Sequence, residues 1–61
     1  MIVSVEGSNA ESLRKALKKL RVPTSRMSWS TIDKNKEKYL CMVHTPTEEE
    51  EVVLLKYGEI R

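Results

Sequence analysis

The chain is short of the residues most chemistry depends on. It has one cysteine, Cys41, in 61 residues. A single thiol excludes an internal disulfide and any multi-cysteine zinc site, and it suits a reducing compartment. It has one histidine, His44, which precedes Thr45. A His-Thr pair can suggest phosphoester chemistry, but such chemistry normally uses a second histidine or a metal. Cys41 and His44 supply too few ligands for a metal. Three residues apart on a strand, they point to opposite faces, so neither can act as a base for the other. Gly7-Ser8-Asn9 could hold an anion on free amides, yet one glycine is too little for a nucleotide loop. The spacing assembles no acid, base and nucleophile, so no catalytic residue, metal or cofactor is assigned and the chain is not expected to be an enzyme. The longest apolar run, Val52 to Leu55, is far below the roughly 18 residues of a membrane span. Met1 to Glu6 lacks a basic start. A cytoplasmic protein without membrane contact is therefore expected.

There is no phenylalanine, and Trp29, Tyr39 and Tyr57 are the only aromatics. Leu, Ile and Val together make 15 of 61 residues. That lies above the level of about 20% below which chains tend to disorder, so the chain should fold. It is long enough for one domain, residues 1–61, and its core must be lean. A second copy or a partner would help to stabilise it.

Charge is the strongest signal. Residues 1–38 carry nine basic side chains against four acidic ones, while residues 39–61 carry two against five. The halves are +5 and −3, a contrast hidden in the net charge of +2. A basic surface attracts phosphate and an acidic one repels it, so the two parts cannot share one binding role.

Residues 1–6 alternate around Val3 and Val5 and predict a strand that ends at Gly7. Ser8-Asn9-Ala10-Glu11 has the form of a capping box. Ala10, Leu13, Ala16, Leu17 and Leu20 then recur at helical spacing, which predicts a helix over 9–21 stopped by Pro23. Residues 27–32 read as a strand, Asp33 to Lys36 as a turn, and Glu37 to Thr45 as a more central strand. Thr45-Pro46-Thr47-Glu48 is a second capping signature, with Thr45 as cap and Pro46 at the first helical position. The following helix would bury Val52, Val53, Leu55, Tyr57 and Ile60 and end at Gly58. A strand over 52–57 is the alternative, because the run starts β-branched.

The expected fold is a small α+β domain of order βαββα. Its three-stranded sheet would have two helices packed on one face, a truncated ferredoxin-like or split β-α-β arrangement lacking its last strand. A right-handed crossover makes the first and third strands natural parallel neighbours. The register is open. Either Thr31, Leu40 and Met42 face the helices, leaving Ile2, Ile32, Tyr39, Cys41 and Val43 on the open face, or Cys41 and Val43 enter the core.

These elements place Arg14, Lys15, Lys18, Lys19 and Arg21 on the helix surface and Lys34, Lys36 and Lys38 at the hairpin tip, with Arg26 between them. The set could follow a phosphate backbone. Trp29, with Tyr39, could stack on unpaired bases from an open sheet face, although no RNP-type aromatic motif is present. The leading expectation is a small accessory or regulatory protein that binds DNA or RNA. The alternative is a protein-interaction module, an inhibitor or adaptor for a larger protein, possibly as a homodimer. In that case the cations form a solvated helix face and the aromatics belong to the core.

Overall fold

The computed structural model describes residues 1–61. In chain order the elements are β1 (Ile2–Glu6), α1 (Ser8–Lys19), a 3-10 turn (Thr24–Arg26), β2 (Met27–Asp33), β3 (Lys38–Val43), α2 (Glu48–Tyr57) and β4 (Glu59–Ile60). The α+β class holds, but the sheet has four strands rather than three, in the order β2-β3-β1-β4. The last strand is present as the short β4, which pairs Val3 with Ile60 and Ser4 with Glu59. The expectation that β1 and β3 run parallel is also corrected. They pair antiparallel, Val3 opposite Cys41 and Val5 opposite Tyr39. The chain returns from β2 by a short hairpin, which forces β3 antiparallel to β2 and seats it between β1 and β2.

The register resolves the question of faces. Val3, Cys41 and Trp29 form one row across three strands, and Val5, Tyr39 and Thr31 form the next. These rows lie under the helices. Val3, Val5, Cys41 and Val43 meet Leu13 and Leu17 of α1 and Leu54 of α2 in the buried core. The other face carries Ile2, Ser4, Leu40, Met42, Ser28 and Ser30 and is covered by nothing. The reading that put Cys41 and Val43 on the open face therefore fails. A bulge between Thr31 and Asp33 leaves Ile32 as the extra residue, which keeps it exposed.

Helix α1 buries Ala10, Leu13 and Leu17, as its spacing predicts. Both of its ends differ from expectation. Gly7, at φ 61°, occupies the cap position, and no side chain caps the helix. Ser8 is already helical, and Glu11 pairs instead with Lys15 at 3.5 Å on the exposed side. The helix stops at Lys19 before Pro23 can act. The Val22 amide donates to the Leu17 carbonyl at 3.1 Å and the Arg21 amide to that of Lys18 at 3.0 Å. Arg21 takes the left-handed conformation at φ 62°. This is a Schellman closure, with buried Val22 next to Leu17 as its apolar clasp.

Residues 52–57 are helical, which settles the helix-or-strand alternative. The cap is Thr47, not Thr45. Its hydroxyl accepts from the Glu50 amide at 3.3 Å, and the Glu50 carboxylate accepts from the Thr47 amide at 3.1 Å. The buried side also differs from expectation. Leu54 is fully buried, while Val52, Leu55 and Ile60 are exposed. Gly58 ends the helix, and a Cβ there would lie 2.8 Å from Val5 Cγ1. Glycine is needed for β4 to lie close against β1.

Candidate nucleic-acid interface

Because Leu13 and Leu17 anchor α1 to the sheet, its other positions must face outward. Arg14, Lys15, Lys18 and Lys19 are all exposed, as is Arg21 just beyond the helix. Lys18 and Lys19 lie in the last turn, where cations also meet the negative end of the helix dipole. Arg14 leans toward the β2 edge and stands 4.9 Å from the centre of the Trp29 ring. A guanidinium over an indole is held by the ring quadrupole and keeps its charge. Arg14, Lys15 and Lys18 line a shallow groove together with the half-buried Tyr39 and with Glu11 and Glu37.

Lys34 and Lys36 are exposed on the β2–β3 turn. The Asp33 carboxylate accepts from the Asn35 and Lys36 amides at 3.0 and 3.2 Å and shapes that turn. The Gly7 amide donates to the Glu37 carbonyl at 2.9 Å, so the hairpin tip is tied to the start of α1. A band of cations therefore runs from the tip along α1 to Arg21, with Glu11 and Glu37 as its acidic interruptions.

Four of the residues singled out by the sequence, Arg26, Lys38, Trp29 and Tyr39, do not join this band. The Arg26 guanidinium is held by Glu50, Nη2 to Oε1 at 2.9 Å, and also donates to the Thr45 carbonyl at 2.8 Å. Lys38 lies opposite Glu6 on the sheet face away from the helices. Trp29 and Tyr39 are on the helix-facing side, half-buried and packed against the core, not on the open face where bases could stack. Trp29 braces the sheet beneath Arg14. The pairing of Arg26 was not visible because Glu50 is 24 residues away and looks like one of four equivalent glutamates.

Two titratable groups are displaced from their ordinary values. Burial pushes the Cys41 thiol up to about 11, a change the nearby Arg14 opposes only weakly. The thiol therefore stays protonated and is a poor nucleophile. Burial also pushes the Glu50 carboxyl upward, but the Arg26 guanidinium and the Thr47 amide and hydroxyl outweigh it, and its pKa falls below the ordinary value. No three His, Cys, Asp or Glu side chains are grouped to hold a metal ion. No helix is long and apolar enough to cross a membrane. Comparison with known protein families, curated proteins and solved structures finds no match to the chain.

Proposed function

We propose that the protein is a non-catalytic accessory domain of the cytoplasm that binds nucleic acid through its phosphate backbone. The observation that carries this reading is the array of Arg14, Lys15, Lys18, Lys19 and Arg21 on one anchored helix. Its only side-chain ion pair is the exposed Lys15–Glu11 contact. Exposed pairs of that kind contribute little, so the charge stays free for a polyanion. Lys34 and Lys36 extend the contact at the start of the helix. Arg26, Lys38 and Trp29 leave the set of contacting residues. With Trp29 off the open face, recognition rests on backbone charge and is tolerant of sequence.

Arg21 supports the reading from a different side. It holds a left-handed conformation that glycine adopts without strain. An arginine in that place costs stability and puts a cation at the end of the band.

The test is fluorescence anisotropy of labelled single-stranded and duplex oligonucleotides across a salt series. Each neutralised duplex phosphate should add about −0.9 to the slope of log affinity against log salt. Lys15, Lys18 and Lys19 replaced together by Glu should abolish binding while the helical circular dichroism is kept, since none of the three is buried. Undiminished affinity in that variant overturns the reading.

A further inference from the structure

We propose that the free edge of β2 takes up an extended acidic segment of a partner protein, which joins the sheet as a further antiparallel strand. The inference stands apart from the nucleic-acid reading, because it rests on backbone groups of β2 and shares only Arg14 and Lys18 with it. The sheet order leaves β2 and β4 as edges, and β4 has only two residues. β2 has seven. The His44 amide donates to the Arg26 carbonyl at 2.7 Å, and the register that pairs Met27 with Val43 sets His44 directly opposite Arg26. Backbone bonding alternates along an antiparallel ladder, so Ser28 and Ser30 also bond inward, to Met42 and Leu40. On the far side of β3 the Val43 amide donates to the Met1 carbonyl at 2.9 Å, which fixes the same phase and turns Val43, Cys41 and Tyr39 toward β1. Met27, Trp29 and Thr31 therefore turn their backbone groups outward. The Thr24 carbonyl takes the Met27 amide. The Met27 carbonyl and both groups of Trp29 and Thr31 point away from the sheet with no strand to meet them.

This edge lacks the usual guards. Met27 to Ile32 contains no proline and no charged side chain, and the one bulge lies at its far end, between Thr31 and Asp33. Charge selects the occupant. Helix α1 runs antiparallel to β2, since the Gly7–Glu37 bond ties its start to the hairpin tip and residues 20–26 lead from its end to the start of β2. Arg14 stands over the Trp29 ring. One helical turn on, about 6 Å, Lys18 comes level with Met27, which lies two strand residues or about 6.6 Å from Trp29. Neither cation has an acid partner, because the ion pairs are Lys15–Glu11 and Arg26–Glu50. In an added strand the residues opposite Trp29 and Met27 send their side chains to the helix side. Carboxylates at alternate positions of that strand therefore meet Arg14 and Lys18. The positions between them lie on the open side, beside the small Ser28 and Ser30, where a β-branched side chain has room.

A second copy of β2 fits this edge poorly. Pairing about a two-fold axis at Trp29 would set the two α1 helices side by side on one face of the joined sheet, with Arg14 and Lys18 of each copy confronting those of the other. A nucleic acid offers no regular row of amides to the edge. Strand addition draws its affinity from main-chain bonds and its selectivity from alternate side chains rather than from buried area. With so few backbone groups on offer, a short peptide should bind with a dissociation constant on the order of 0.1 mM, in the range of transient contacts.

Amide NMR of the full chain tests the proposal, titrated with a capped seven-residue peptide of valine and threonine that carries glutamate at its third and fifth positions. Shifts should centre on Trp29 and Thr31, and solvent exchange of those two amides should slow. The same peptide with its glutamates adjacent, so that they face opposite sides, should bind several-fold more weakly. A peptide N-methylated at both glutamates should not bind. Arg14→Glu should weaken binding by about tenfold. Thr31→Pro removes an outward amide and leaves the ladder to β3 intact. It should lose the peptide yet keep oligonucleotide binding, so this inference and the nucleic-acid reading fail separately. Should Thr31→Pro fail to fold, the N-methylated peptide makes the same cut from the partner's side. No shift up to about 1 mM peptide, ten times the expected constant, overturns the proposal. So do equal affinities for the two glutamate spacings, undiminished binding of the N-methylated peptide, or shifts confined to α1, each the mark of charge attraction without strand addition. Shifts at Trp29 and Thr31 on concentrating the chain without peptide would make a second copy the occupant, and also overturn it.

Discussion

Arg26 and Glu50 bolt the start of β2 to the start of α2. The guanidinium donates to both carboxylate oxygens, at 2.9 and 3.5 Å, and its second contact, to the Thr45 carbonyl, holds the loop between them. Glu50 is buried, while the Arg26 side chain keeps 32% of its exposure. A buried carboxylate is tolerable only while its hydrogen bonds are made. Here it also closes the capping box of α2.

Breaking this bolt should be costly for so small a domain. Glu50→Gln should lose about 1–2 kcal/mol, below the loss for a fully buried pair because Arg26 meets solvent. Urea unfolding followed through Trp29 fluorescence measures it. A double-mutant cycle with Arg26→Met should return a coupling of about 1 kcal/mol, whereas additive losses would show that the two side chains act separately.

The same carboxylate sets a dependence on acid. Its pKa is lower in the fold than in the unfolded chain. Its contribution is therefore complete above the ordinary glutamate value of about 4.3 and is lost as pH falls through that value and then through the folded one. The stability of the native chain should fall with acid over that window. Glu50→Gln should show a shallower fall, and an identical profile would remove Glu50 as the cause.

The two glycines should fail for different reasons. Gly58→Ala brings its Cβ to 2.8 Å from Val5 Cγ1 and 3.0 Å from Val3 Cβ, while its φ of −128° suits any residue. The loss is one of crowding, about 1–3 kcal/mol. Gly7→Ala meets open space, but at φ 61° it is strained by its own backbone. Thermal unfolding of Gly58→Ala with and without Val5→Ala separates the two cases, because only crowding is relieved by the smaller neighbour.

Arg21→Gly should move stability and affinity in opposite directions. Removing the left-handed arginine should raise stability by up to about 1 kcal/mol. Loss of the cation should reduce the salt slope of oligonucleotide binding by about 1. Paired thermal melts and anisotropy titrations check both, and an unchanged slope would take Arg21 out of the interface.

Cys41 should react with a disulfide reagent only when the fold opens. It is fully buried, and its thiol is held near 11. At neutral pH its modification rate should lie far below that of a free thiol and recover in denaturant. A free-thiol rate in the native protein would contradict its burial.

Much of the architecture is legible along the chain because it is local. The stripe from Ala10 to Leu17 marks a helix by spacing alone, and burying one side of it obliges Arg14, Lys15, Lys18 and Lys19 to face outward. The alternation around Val3 and Val5 marks a strand for the same reason. The fourth strand is not legible along the chain because Glu59 and Ile60 are too few to show a period, and Gly58 lets the chain lie close against Val3 and Val5.

What the sequence determined by itself is therefore the helix face, the first strand and the separation of charge, since each depends on neighbours three or four residues away or fewer. The tertiary structure decided the rest. Two overlapping signatures, Thr45 to Glu48 and Thr47 to Glu50, can begin α2, and Pro46 favours the first locally. Arg26 chooses the second by reaching Glu50 across 24 residues. Glu50 shares the buried side of α2 with Leu54, one turn further on, and the pairing removes Arg26 from the cationic band. The register of β3 against β1 likewise put Cys41 inside and Met42 outside, because a one-residue slip reverses every side chain and only the packing of Leu13, Leu17 and Leu54 on one face distinguishes the two.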